Sequence, residues 1–183
     1  MTSPNNIHRL STSVGNCDHC RGSLTAQVIL VEYGDYQCPY SREAHYILQE
    51  VQHTLGKNLL FVFRHFPQCD IHSKAGHAAE AAEAAGSQGR FWEMHDYLFD
   101  HQSQLADSDL VEYAIALNLN INQFLQEMTA DHHLERINAD LESGRKSHVI
   151  QTPTFFINSI RYAGNLSFNA LLSAIEKIDK EHC

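Results

Sequence analysis

Cysteines are the residues in this chain best able to do chemistry, and Cys38 sits where a cysteine is most reactive. It opens the tetrapeptide Cys38-Pro39-Tyr40-Ser41. A thiol at the start of a helix faces unpaired N–H groups and the positive end of the helix dipole. Both favour the thiolate, which is the nucleophilic form of cysteine. Pro39 suits the first helical position, where its fixed φ is already helical and no N–H is needed. Ser41 can donate a hydrogen bond to that thiolate. Its hydroxyl is far too weak a nucleophile to attack sulfur at neutral pH. A free cysteine can also be a small buried hydrophobe, so the surrounding elements have to decide.

Those elements favour chemistry. Val28 to Tyr33 reads as an apolar strand that runs into a turn at Gly34-Asp35. Asp35 and Tyr36 are expected to shape that turn. Ala44, Ile47, Leu48, Val51 and Leu55 recur at helical spacing after Cys38, and Gly56 is a natural stop. Leu59 to Phe66 is a second apolar strand, closed by Pro67. Strand, helix and strand in this order form a βαβ unit with parallel strands and a right-handed crossover. Parallel strands end on one edge, where α/β sheets tend to place ligands and chemistry. The segment from Pro67 to His72 should therefore emerge near Cys38. It carries Cys69, a candidate resolving thiol, and His72, a candidate for tuning the Cys38 thiol. Glu32 is expected to be solvated at a strand edge. The other reading of Glu32 is a carboxylate beneath the thiol that accepts a proton or raises the thiol pKa.

From Ser73 to about Ser147 the pattern is helical throughout. Ser73 can cap a helix with Ala75, Ala78, Ala79, Ala82 and Ala85 inward, ended by Gly86. Further helices are expected from Phe91, from Ser108 or Asp109, from Ile121, and over Leu134, Ile137 and Leu141 before Gly144. Then the period switches. Thr152-Pro153-Thr154-Phe155-Phe156-Ile157 reads as a strand, Asn158-Ser159 as a tight turn, and Ile160 to Ala163 as the returning strand. Ser167 caps a last helix. Residues 1–27 are polar and aperiodic and read as an N-terminal arm, with one domain over 28–183 and a helical insertion at about 73–147. Within the arm, Cys17-Asp18-His19-Cys20 is a second CxxC, expected near the sheet end opposite Cys38. It reads as a pair of reduced surface cysteines. A redox dithiol, or half of a zinc site to which His182 and Cys183 add ligands, are the other readings. No metal site is expected.

Composition narrows the function classes. A length of 183 residues fits one domain with a full core. A formal net charge of −9 argues against nucleic acid or an anionic membrane surface as partner. No run is long enough to span a membrane, and the first residues lack the apolar stretch of a signal peptide. A cytoplasmic location is expected, with a mature exported form as the alternative. The five cysteines do not suggest a secreted disulfide framework. The histidines show no HExxH pattern, and His45, His65, His77 and His95 are expected on surfaces or as satisfied core groups.

The element order resembles the thioredoxin fold, with Cys38-Pro39-Tyr40-Ser41 after the first strand and Thr152-Pro153 opening the third. The insertion and the stretches GDYQCPYS, FRHFP, FWEMHDYLF and TPTFFIN resemble its DsbA-like branch, over about 28–178. The resemblance implies an α/β thioredoxin-like fold (βαβ followed by ββα) with a helical insertion. It implies thiol-disulfide oxidoreductase activity centred on Cys38, with no bound cofactor. It also implies a cis bond between Thr152 and Pro153 facing that cysteine. The Thr152 backbone would pair with an extended substrate segment, with Pro39 and Tyr40 beside it. Expected partners are protein or small-molecule thiols and disulfides; oligomeric state is left open. The chain departs from the branch at Ser41, where the usual motif has a second cysteine. In the dithiol mechanism that cysteine breaks the mixed disulfide. Resolution here would fall to glutathione or another thiol as co-substrate, or to Cys69. Serine at this position is also the product of a common trapping substitution, in which case the natural chain would be a dithiol enzyme. A non-catalytic module that binds peptides beside Pro153 is the reading from a different class. Kappa-like glutathione transferases share the branch but carry serine at the nucleophile position, against which Cys38 argues.

Overall fold

The structure is a computed structural model and describes residues 8–181. Strands β1 (His19–Gly22), β2 (Val28–Gly34), β3 (Leu59–His65), β4 (Thr154–Ile157) and β5 (Ile160–Arg161) form one sheet in the order β1-β3-β2-β4-β5. β2 and β3 are parallel, in the register Val28 opposite Leu59 and Gly34 opposite His65. β2 pairs antiparallel with β4, and β4 with β5. The helices are α1 (Pro39–Leu55), α2 (Ala75–Gly86), α3 (Phe91–Asp100), α4 (Asp107–Ala116), α5 (Ile121–Thr129), α6 (Leu134–Lys146) and α7 (Phe168–Glu181). This is the thioredoxin-like fold with a helical insertion between β3 and β4.

Side chains alternate across a strand, so β2 feeds two cores. Leu30 faces one side with Phe61 and Phe63, against Leu48 and Val51 of α1, the alanines of α2, and Leu171 and Ile175 of α7. Val31 and Tyr33 face the other side with Val62, Phe66 and Phe156. The small alanine face of α2 lets α3 pack closely. In the β4–β5 turn both Asn158 (φ 45°) and Ser159 (φ 68°) adopt left-handed backbone, as a two-residue hairpin turn requires. The Asn158 side chain accepts the Ile29 N–H at 2.8 Å, which fastens the hairpin to β2.

Two expectations about the chain are corrected. The arm contributes β1, whose residues pair antiparallel with β3, His19 opposite Phe63. The antiparallel entry puts Cys17 toward the carboxyl end of β3, on the same edge as Cys38 and not the opposite one. An ion pair holds the arm there: buried Arg64 donates to Asp18 at 2.7 and 3.0 Å and to the Thr12 and Ser13 carbonyls. His182 and Cys183, named as added ligands, lie outside the described residues. Gly144 does not end a helix; α6 runs through it to Lys146. Its role is close approach, since a Cβ there would lie 2.7 Å from Phe66 and 3.1 Å from Tyr33. Gly144→Ala is expected to destabilise the fold. Overpacking against two buried rings costs about 1–3 kcal/mol and outweighs the gain of about 1 kcal/mol in helix propensity. Urea unfolding checks this; a variant as stable as the parent contradicts it.

Candidate active site

Cys38 is the residue before α1, with extended backbone at φ −76° and ψ 120°. Its N–H donates to the Asp35 carbonyl at 3.1 Å, and its own carbonyl accepts the Arg42 N–H at 3.2 Å as the first bond of the helix. Among the described residues no side chain caps the start of this helix. The N–H groups of Tyr40 and Ser41 have no intrahelical acceptor and lie next to the sulfur's attachment point. The thiol is 3% exposed, and Sγ donates to the Thr152 carbonyl at 3.3 Å. The Thr152–Pro153 bond is cis.

Asp35 organises the surroundings. It is buried, and its Oδ1 accepts the Gln37 N–H at 2.8 Å. Its Oδ2 accepts the Gln68 N–H at 2.9 Å and His72 Nδ1–H at 2.8 Å. One carboxylate thus ties the turn before Cys38 to the loop after β3. Gln68 carries the tie onward, because its Oε1 accepts the Thr152 hydroxyl at 3.0 Å. From beyond α3, Gln102 Nε2 donates to the Tyr36 and Cys38 carbonyls at 2.8 and 2.9 Å. Below the turn, the Tyr36 hydroxyl and His95 Nδ1 stand 3.1 Å apart. Burial pushes the Tyr36 hydroxyl well up and the His95 imidazole well down, so both are neutral.

Cys38 opens onto a cleft of about 850 Å³ lined also by Pro39, Tyr40, His72, Thr152, Pro153 and Tyr162. Tyr40 and Ile71 stand 65% and 70% exposed on its rim. Arg161 lines it as well and is anchored by a bond from Nη1 to the His148 carbonyl at 2.9 Å.

Glu32 is not solvated at an edge. It lies on the central strand between Phe63 and Phe155, is 1% exposed, and its Oε1 has no hydrogen-bond partner among the described residues. Burial pushes its carboxyl up to about 8, so at neutral pH it is mostly the uncharged acid.

A family model described as Thioredoxin matches residues 16–177. The chain belongs to the thioredoxin family. Among solved structures, BdbD from Bacillus subtilis superposes with a TM-score of 0.82 at 20% identity, covering 90% of this chain and 94% of that one. The α-DsbA1 protein of Wolbachia pipientis superposes at 0.79 with 19% identity, covering 94% and 95%. These show that the chain shares its fold with both proteins. Among curated proteins, a Na(+)/H(+) antiporter NhaA 1 of Salinispora arenicola is 44% identical over 158 residues, which is 86% of this chain and 24% of that protein. The chain thus spans about a quarter of the length of the curated relatives it matches. No helix among the described residues is long and apolar enough to cross a membrane.

In this thioredoxin-family chain the structure brings Cys38, Pro39, Tyr40, His72, Thr152 and Pro153 to one cleft. It does not bring Ser41 or Cys69 there. Ser41 is fully buried, and its Oγ accepts the Asp35 N–H at 3.3 Å. Cys69 is exposed, and its Sγ lies 3.5 Å from where a Cβ on Gly76 would stand. Its neighbours Gln68 and Ile71 line the cleft and it does not. Sequence reasoning missed Gln68 and Gln102, whose partners are far along the chain. It took Asp35 for a turn former, and a buried carboxylate in a turn before a cysteine is the signal that could have found its wider role.

Proposed function

We propose that the chain is a monothiol thiol-disulfide oxidoreductase with Cys38 as nucleophile and an external thiol, such as glutathione, as resolving partner. The observation that carries it is the placement of Cys38 at the start of α1, against the Thr152 backbone, on a cleft that no second cysteine lines among the described residues. The Cys38 thiolate attacks one sulfur of a substrate disulfide. A new S–S bond forms to that sulfur, the substrate S–S bond breaks, and the second substrate sulfur leaves as a thiolate that takes up a proton. A glutathione thiolate then attacks the mixed disulfide at the substrate sulfur. This releases the substrate as its glutathione disulfide and returns the Cys38 thiolate. Thr152 offers its carbonyl to an extended segment beside Cys38, and Tyr40 and Pro153 offer apolar contact. His72, held by Asp35, fixes the wall of the cleft.

The lifetime of the Cys38–glutathione adduct tests this. It should persist in the parent and in Cys69→Ala until free glutathione is added. Ser41→Cys should break its own adduct at least about 100-fold faster, because the attacking thiol is then intramolecular. A parent adduct that collapses unaided to a Cys38–Cys69 bond contradicts the external resolver.

A second reading concerns the setting of the same chemistry, and the 44% identity to proteins named antiporters favours it. We propose that this domain works attached to, or beside, an ion antiporter. An antibody against the domain should then find it in the membrane fraction of the source cells, on a polypeptide about four times as long or co-purifying with an antiporter. A soluble chain of about 20.7 kDa with no such companion contradicts this second reading.

A further inference from the structure

Three side chains that the thiol chemistry does not use converge away from the cleft. His19 comes from β1, His65 from the end of β3 and Glu83 from α2. Glu83 Oε1 lies 2.8 Å from His19 Nε2 and 2.8 Å from His65 Nε2. The three atoms all fall within 4.8 Å of one another. His65 and Glu83 are buried, and the His19 side chain keeps 20% of its surface exposed. His19 is held in place by Phe91, stacked on its ring with centroids 3.3 Å apart.

Two imidazole nitrogens and one carboxylate oxygen are a donor set suited to a divalent transition ion, zinc above all. We propose that His19, His65 and Glu83 form a binding site for such an ion, separate from the Cys38 cleft. Ligand bonds of about 2.0–2.2 Å around a tetrahedral ion set the donor atoms about 3.3–3.5 Å apart. The cluster has to open by about half an ångström, a movement within the reach of the partly exposed His19. Water would take the fourth position on the His19 side.

Neighbouring groups sharpen the assignment. Cys20, one residue on from His19, faces the opposite side of the sheet and packs with Val31 and Val62. It is not a ligand in this geometry. A second grouping, His45, His95 and Asp96, has its carboxylate taken by Arg21 at 2.9 and 3.2 Å. Among the described residues no lysine or arginine is paired with Glu83, whose partners are the two histidines. Because the ligands come from β1, β3 and α2, occupancy would lock the N-terminal strand to the sheet.

Zinc titration of the full chain, by calorimetry and by competition with a chromophoric chelator, tests the proposal. One Zn²⁺ per chain should bind in the parent and in Cys17→Ser/Cys20→Ser alike. Affinity should fall about 100-fold or more in His19→Gln and in Glu83→Gln. Zinc should raise the melting temperature of the parent and leave that of His19→Gln unmoved. Melting without metal shows that this variant, changed at a partly exposed position, still folds. Co²⁺ in the site should show d–d absorption without thiolate charge transfer. The proposal is overturned by absence of stoichiometric binding, by binding undiminished in His19→Gln, or by a thiolate spectrum that vanishes in Cys17→Ser/Cys20→Ser.

Discussion

Cys38→Ser is expected to lower the rate of catalysed disulfide exchange by about 1,000-fold or more while leaving the fold intact. The change is nearly isosteric. Serine is a better residue than cysteine to precede a helix, so α1 keeps or gains stability of up to about 1 kcal/mol. What disappears is the sulfur, and with it, among the described residues, the nucleophile on the cleft able to open a disulfide at neutral pH. Cys69 is exposed elsewhere, and Cys17 and Cys20 lie on β1 and the segment before it. The measurement is steady-state reduction of a disulfide peptide with glutathione as reductant, with circular dichroism and melting run in parallel. A Cys38→Ser chain that retains the parent rate would move the activity to another cysteine. A parent with no rate at all would favour a binding module that keeps the groove beside Pro153 for peptides.

The second large effect is on stability, and it comes from Glu32. Its carboxyl is lifted by burial from an ordinary 4.5 to about 8 in the folded chain. Below about pH 4.5 the group is protonated in both states and carries no penalty. As pH rises above that, the unfolded chain releases the proton while the folded chain keeps it. The unfolded state then binds fewer protons, so stability falls as pH rises, and the fall ends once the folded group ionises near pH 8. The ceiling on that loss is roughly 5 kcal/mol. Glu32→Gln removes the titrating group and keeps the shape. The stability of Glu32→Gln relative to the parent should therefore grow between about pH 4.5 and 8 and level off above it. Urea unfolding across this range checks the sign. A difference between the two chains that stays constant with pH would show that Glu32 titrates normally.

The parts of the fold that were legible in sequence rest on local signals. β2 and β3 are apolar runs bounded by glycine and proline. α1 is written in the spacing of Ala44, Leu48 and Val51, and the hairpin in Asn158-Ser159. The parallel pairing of β2 and β3 then placed the loop after β3 beside Cys38 by topology alone. β1 was not legible, because its four residues, His19-Cys20-Arg21-Gly22, have no apolar alternation. What holds that segment in place is pairing with β3 and the Asp18–Arg64 ion pair, interactions across the fold that leave no local pattern. Glu32 was misplaced for a related reason. Alternation along a strand says which face a residue takes, but strand order decides whether the strand is an edge, and β2 is central. At the site, Cys38 and Pro153 were marked by their own chemistry. Gln68, Gln102 and the wider role of Asp35 were not, since each acts through a partner distant in the chain. Gly144 read as a stop because the space it leaves for Phe66 exists only in the packed molecule.

Thiol mapping separates a reactive Cys38 from the other cysteines. The full chain is exposed briefly to glutathione disulfide at several pH values, and each cysteine is then scored by mass spectrometry. Cys38 should be modified selectively near neutral pH, despite being less exposed than Cys17 and Cys69. The product should be a persistent Cys38–glutathione disulfide. Modification of Cys38 no faster than that of Cys17, Cys20 and Cys69 would contradict the assignment of Cys38 as nucleophile.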